Sequence, residues 1–326
     1  MPATPPAAES AARFESEPWS ATASPPTDRV VAVTEFLASR PGEPVTVAEL
    51  VRHLGINRAT CHAVLAALVR VGWVVRDPAD RTFTPGPALI ALGRAAESGV
   101  PAARAAEHEV AALVRDLGLS ASVGYPSGEH IVVGSYAAAA QDVPGAVRVG
   151  QRVPFAPPFG PGLVAWGTDR DIADWLSRSP APGHDERLRT VLGEVRSRGY
   201  TVERTSAASR QLRALLVELD SLSVRQRPAI TELLHEVGAI DYLDEELRAP
   251  GPHPVGVMSA PAFTRDGRAA LNISVYVWSD LKPHRIRAIG TRLLTAAHSV
   301  TRNLHGTPPE GFPAPDRPAG TRLLRQ

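Results

Sequence analysis

The chain has 326 residues, 44% hydrophobic and 21% charged, with a formal net charge of +1. That length suits about two domains of roughly 150 residues each, the balance is ordinary for a soluble globular protein, and no apolar run approaches the roughly 20 residues of a membrane helix. A single cysteine excludes an internal disulfide and most cysteine-based metal sites, and the N-terminus has no basic stretch followed by an apolar core, so the expectation is a cytoplasmic protein without a cofactor.

Residues 1–27 are mostly Ala, Pro, Ser and Glu, with Phe14 and Trp19 as the large apolar residues. That is too little to offset the entropy of ordering them, so they read as a disordered arm, and residues 306–326 read as a disordered tail for the same reason. From Asp28 the pattern becomes regular. Val30, Val33, Phe36 and Leu37 share one helical face, and "RPGEP" ends that helix. In "TVAELVRHLG" Thr46 precedes Glu49 by the capping-box spacing and Gly55 stops a short second helix. The stretch "NRATCHAVLAALVR" supplies a third, with Asn57 as its cap and Val64, Leu65, Leu68 and Val69 as its apolar stripe. After Gly72, "WVVRDPADRTFTP" reads as a small hairpin turning at Asp77-Pro78-Ala79-Asp80. Three helices and a hairpin in this order make residues 28–84 a winged helix-turn-helix.

In such a unit the N-terminal residues of the third helix reach base edges in the major groove while its apolar rear packs on the other helices. Arg58 suits guanine, Thr60 and His62 suit bases or phosphates, and Arg76 and Arg81 flank the wing tip. Thr46, Asn57 and Ala59 complete the expected DNA-binding set, although Asn57 reads first as the cap. The same unit also serves protein contacts, with these polar residues as a solvated face; the cap, the turn glycine and the wing all fall where docking on double-stranded DNA requires them. Lys282 is the only lysine, so a lone arginine is weak evidence of phosphate binding. Cys61, on a capped helix, reads as a small packing residue.

Residues 85–100 have helical spacing at Leu89, Ile90 and Leu92 and form a linker helix. The second domain, residues 101–305, opens with a helix ending at Gly118, followed by a hairpin around Ser127-Gly128, strand character in "AVRVGQRVPF", and helices at Asp169–Ser177 and Arg187–Arg198. Two β-rich runs flank Arg265-Asp266-Gly267 as a further hairpin, and a final helix covers Pro283–Asn303. Strands and helices mix without strict alternation, so the fold class is α+β with a mainly antiparallel sheet.

The segments "VTVAELVRHLGINRATCHAVLAALVRVGWVVRD" and "TPGPALIALG" resemble the DNA-binding half of the IclR family of bacterial transcription regulators. "GQRVPFAPPFGPGLVAW", "LGEVRSRGYTV" and "VMSAPAFTRDGRAALNISV" resemble its GAF-like effector domain. The resemblance implies homodimers or homotetramers that bind palindromic operators and respond to a small-molecule effector. By position the effector set is Phe155, Phe159, Gly160, Gly162, Val257, Ser259, Asn272 and Ser274, with Tyr125 and Glu203 as neighbours. Hydroxyl and amide groups there would orient a ligand between aromatic walls, although each position taken alone is equally at home in an ordinary core.

Two departures from the family stand out. Pro158-Phe159 and Pro161-Gly162-Leu163 replace a Thr-Ala and Gly-Lys-Ala pattern that holds small organic acids, which implies a larger or more apolar effector, aromatic or acyl. Residues 206–249 are an insertion with helical patterns at "RQLRALLVELDSL" and "RPAITELLHEV". An enzyme is the rival class, yet the chain has no HExxH, GxSxG, P-loop or paired CxxC, and His253, His284 and His298 read as scattered surface or structural histidines. No catalytic residue and no metal site is therefore expected. The alternatives are a sensor whose winged helix binds protein, or a small-molecule enzyme fused to a helix-turn-helix.

Overall fold

In the computed structural model, the described residues are 24–40, 42–99, 101–140, 147–179, 183–217, 233, 237 and 240–315. The chain begins with helices α1 (Pro25–Ala38), α2 (Val47–Leu54) and α3 (Arg58–Arg70), then the two-stranded wing β1 (Val74–Arg76) and β2 (Phe83–Pro85). Helix α1 starts three residues earlier than the apolar pattern suggests, because proline in the first helical turn gives up no hydrogen bond and its φ is already helical; residues 25–27 are thus helix and not arm, and the rest of the expected arm, up to residue 23, lies outside the described residues. The capping box at α2 is present: the Glu49 carboxylate accepts from Thr46 N–H at 2.7 Å and from its hydroxyl at 2.8 Å, and Gly55 closes the helix at φ +65°.

A core of Val33, Phe36, Leu37, Leu50, Cys61, Leu65 and Phe83 holds these elements together. Val45 pairs with Phe83 through two backbone hydrogen bonds of 2.9 and 2.8 Å. That bridge fastens the wing beside the start of α2.

Helix α4 (Ala88–Gly99) follows the wing as the linker and leads to α5 (Pro101–Leu117). Gly86 makes the entry to α4 possible: a Cβ there would stand 2.2 Å from the Gly72 carbonyl oxygen. The remaining elements are β3 (Ser120–Ser127), β4 (His130–Ala137), β5 (Arg152–Pro154), α6 (Pro161–Val164), α7 (Asp169–Ser177), α8 (Asp185–Arg198), β6 (Thr201–Arg204), α9 (Ala207–Val217), α10 (Asp244–Arg248), β7 (His253–Phe263), β8 (Ala269–Leu281) and α11 (Pro283–Asn303). The six strands form one antiparallel sheet in the order β5-β4-β3-β8-β7-β6. Strand β5 is only three residues long, shorter than "AVRVGQRVPF" suggested; residues 141–146 lie outside the described residues.

Alternation along the strands gives the sheet two different faces. Ala121, Val123, Met258, Ala260, Ile273 and Val275 belong to a large apolar core with Leu113 of α5 and Ile289, Leu293 and Val300 of α11. Thr201, Ser259 and Asn272 alternate with them, are buried, and have α6 over them.

Residues 306–315 correct the expectation of a tail beginning at Gly306. They run back over the domain: Thr307 N–H donates to the Thr264 carbonyl at 3.0 Å, His298 Nε2 bonds the Pro313 carbonyl at 2.8 Å, and Phe312 packs edge-on against Phe263 and Trp166. One aromatic residue packed in an apolar notch orders a segment that composition alone marks as disordered. In the insertion, α9 is helical as the first pattern suggested, the short α10 lies beyond both patterns, and the second expected helix falls outside the described residues apart from Leu233 and Val237. Among the described residues no helix is long and apolar enough to cross a membrane.

Candidate nucleic-acid interface and effector site

A groove of about 700 Å³ runs between α3 and the wing. Thr46, Arg58, His62, Arg76 and Arg81 line it together, so five of the eight expected DNA-binding residues meet on one surface. Four arginines line the groove, Arg58, Arg70, Arg76 and Arg81, and the one acid beside them is Asp80. The wing tip is set by Asp77, whose Oδ1 accepts the Ala79 N–H at 2.7 Å, and by Arg81, which turns the chain at φ +57°.

The other three expected residues take different places. Asn57 Oδ1 accepts the Thr60 N–H at 2.8 Å, so Asn57 is the cap that satisfies the first free amides of α3. Ala59 is exposed and Thr60 half-buried in the first turn, and neither lines the groove. Ala66, Val69 and Arg70, absent from the expected set, do line it. Helical spacing from Arg58 through His62 to Ala66 and Arg70 carries that information, since positions four apart share a face. Cys61 is fully buried, its thiol faces the Ile56 carbonyl at 3.8 Å, and burial pushes its pKa up, all of which suits a packing role.

In the second domain, most of the expected effector residues converge on the polar face of the sheet and on the β5–α6 loop above it. Thr201 Oγ1 and Ser259 Oγ share a hydrogen bond of 2.8 Å. Register places Ser274 opposite both Ser259 and Ser122, and Val257 opposite Tyr276, whose hydroxyl bonds Ser122 Oγ at 2.8 Å. Gly162 lies directly over this layer: a Cβ there would be 3.3 Å from both Asn272 Oδ1 and Thr201 Cγ2. Asn272 Oδ1 is buried with no hydrogen-bond partner. At Gly160 a Cβ would strike the Phe155 ring at 2.7 Å, and φ is +83°, so glycine is required there twice over.

Tyr125 does not join this face. It shares the parity of Ala121 and Val123, packs with the core that α5 completes, and its phenol pKa is pushed up to about 12 by burial and then by Glu107. Glu203 sits at the sheet edge, bridged to Asp241, a residue that sequence reasoning missed. Asp241 is 3% exposed, its Oδ1 has no partner, and burial first and Glu203 second push its pKa up to about 7.

Phe159, meanwhile, is covered by the insertion: Ala208, Leu212, Leu233, Val237 and Ile240 form a small apolar cluster around it, and its carbonyl accepts the Trp175 indole N–H at 2.9 Å. Nothing local in the sequence announces that contact, because the partners lie some 50 to 80 positions downstream. Among the described residues no three His, Cys, Asp or Glu side chains come together as a metal site.

A three-helix unit with a wing and a basic groove, joined through a helix to an antiparallel α+β domain, defines a two-domain winged helix-turn-helix protein. Residues 26–78 match the IclR helix-turn-helix domain. Over most of its length the chain has the fold of solved IclR regulators. One from Alicyclobacillus acidocaldarius is 21% identical with a TM-score of 0.61 over 87% of this chain and 100% of that one. A putative regulator from a Silicibacter species is 19% identical with a TM-score of 0.61 over 89% and 100%. An IclR homologue from Microbacterium hydrocarbonoxydans, solved with 4-hydroxybenzoate, is 18% identical with a TM-score of 0.59 over 86% and 99%. No curated protein matches the sequence. The chain therefore carries an IclR helix-turn-helix domain within an IclR-type fold.

Proposed function

We propose that this protein is a cytoplasmic, ligand-responsive transcription regulator that binds a palindromic DNA operator as a homodimer or homotetramer. The observation that carries the reading is the convergence of Arg58, Arg70, Arg76 and Arg81 with Thr46 and His62 on the groove between α3 and the wing. Arginine forks suit guanine edges and phosphates alike, and a groove whose cations outnumber its single acid attracts the backbone of DNA from a distance. Arg58, at the start of α3, takes the base-reading role, and Arg76 and Arg81 on the wing take phosphates.

The effector is an apolar or aromatic metabolite held on the polar sheet face by Ser259, Asn272 and Ser274. Gly162, which carries no Cβ, stands directly over Asn272 and Thr201, and Phe159 supplies an apolar wall. The orphaned Asn272 Oδ1 supports this, because a buried acceptor without a partner costs about 1–3 kcal/mol until something donates to it. The effector's differential affinity for two arrangements of the paired recognition helices sets the response.

Fluorescence anisotropy of the purified protein against DNA from upstream of its own gene, with scrambled DNA as control and over a range of salt, tests the reading. Specific binding that falls steeply with salt is expected, since each phosphate contact contributes about 0.9 to the slope. No sequence preference at any salt, with a protein captured through the winged helix instead, would replace this reading with that of a protein-binding sensor.

A further inference from the structure

Helix α6 has a second side. Gly162 looks toward the sheet, but Leu163 and Val164 help to line a separate cavity of about 550 Å³ that opens between α7 and two hairpin turns. Its apolar walls include Phe155 and Trp166, and its cations are Arg178 and Arg268. The volume falls within the roughly 300–1,000 Å³ of small-molecule sites, and apolar walls with a few convergent polar groups are their usual make-up.

Three features define what the cavity accepts. Trp166 lines the cavity, and its indole N–H is buried without a hydrogen-bond partner. Arg178 stands 5.4 Å from the Phe155 ring centroid, donates from Nε to its own helix at Asp174, and makes no ion pair among the described residues. Arg268 pairs loosely with Asp266 at 3.7 Å, both side chains being largely exposed, and its charge also helps to lower the pKa of Asp171. Of the two cations, Arg178 is the one without a carboxylate partner among the described residues.

The acids around the cavity set the upper limit of charge. Asp171 is committed to capping α7: its carboxylate accepts from Thr168 N–H at 2.8 Å and from the Thr168 hydroxyl at 2.7 Å, bonds that lower its pKa. Asp174 pairs at 3.9 Å with Arg170, and Glu129 is exposed. These carboxylates repel a polyanion, while the two guanidinium groups still accommodate a single negative charge. We infer that the cavity is a second ligand site, separate from the sheet face, for a small monocarboxylate with an apolar body. The carboxylate lies toward Arg178 and the indole N–H, and the body lies against Phe155 and Trp166.

Isothermal titration calorimetry of the full chain with phenylacetate tests this, with phenylacetamide as the uncharged counterpart. Saturable phenylacetate binding is expected, at least tenfold weaker for phenylacetamide, at least tenfold weaker for Arg178→Gln and several-fold weaker for Trp166→Phe, which keeps an aromatic ring in place. Asn272→Ala, which alters only the sheet face, should leave it unchanged. Absence of phenylacetate binding, indifference to Arg178→Gln, or loss on Asn272→Ala instead would each overturn the inference. None of these results depends on whether DNA is bound, and Asn272→Ala separates binding in this cavity from binding on the sheet face.

Discussion

The recognition groove and the sheet face place polar residues in opposite ways. In the helix-turn-helix domain the polar groups that matter are on the outside: Arg58, His62, Arg76 and Arg81 are exposed, and the interior is apolar throughout. In the second domain the polar groups are inside: Ser259, Asn272, Thr201 and Asp241 are each under 10% exposed. An exposed polar residue is free to change with little effect on folding, whereas a buried one has to be satisfied by a neighbour, by protonation or by a ligand. On the proposed reading, DNA recognition is separable from stability, and effector recognition on the sheet face is not.

The sharpest way to test that separation is through the two cores, which share no residue. Phe36→Ala, at a side chain 1% exposed, should lower the stability of the helix-turn-helix domain by about 3–5 kcal/mol. In calorimetry the transition of the second domain should stay in place; a single transition that moves as a whole would mean that the domains unfold as one unit.

Asp241 tests the buried side. Its folded pKa, about 7, lies above the ordinary 3.8, so the folded state holds a proton that the unfolded chain gives up. The contribution is fully present below pH 3.8 and is lost as pH rises through about 7. Asp241→Asn removes the titration. Urea midpoints of variant and parent should diverge in favour of the variant from about pH 4 to 7, then run parallel; a constant gap across that range would show that Asp241 stays ionised.

On the exposed side, Arg58→Ala should cost about 1–3 kcal/mol of operator affinity in anisotropy titrations if it reads a base, with no shift in thermal midpoint. Arg81→Ala should leave sequence preference intact and reduce the salt slope by about 1. The smallest contrast uses the same chemistry in both regions: Asn57→Ala and Thr168→Ala each remove a helix cap worth about 1 kcal/mol. Denaturation should register both, and only Asn57→Ala should also weaken DNA binding.

What was legible in the sequence follows the range over which each feature is determined. Helix caps are settled within four residues, so Thr46 with Glu49, Asn57 with Thr60 and Gly55 could be read directly, and α11 runs over Pro283–Asn303 as its spacing indicates. The basic groove was half legible because Arg58 and His62 lie one turn apart, while Arg70 needed the same face followed two turns further. The sheet face depends on pairings such as Ser122 with Tyr276, 154 positions apart, which no local pattern encodes. Tyr125 was misplaced although alternation from Ala121 and Val123 would have turned it toward α5. Asp241 and Phe312 look like ordinary loop residues until the strand or notch that receives them exists.

Phe312 has a practical consequence for anyone who trims the protein. A chain ended at His305 would keep every strand and all of α11, yet it would uncover one side of Phe263 and Trp166, the residues on which Phe312 rests. Trp166 would then be gripped less firmly at the very wall where its N–H awaits an acceptor. A version shortened for convenience would report on a looser pocket than the intact molecule has, and a protease that nicks the polypeptide after α11 would be seen by indole fluorescence before any helix melts.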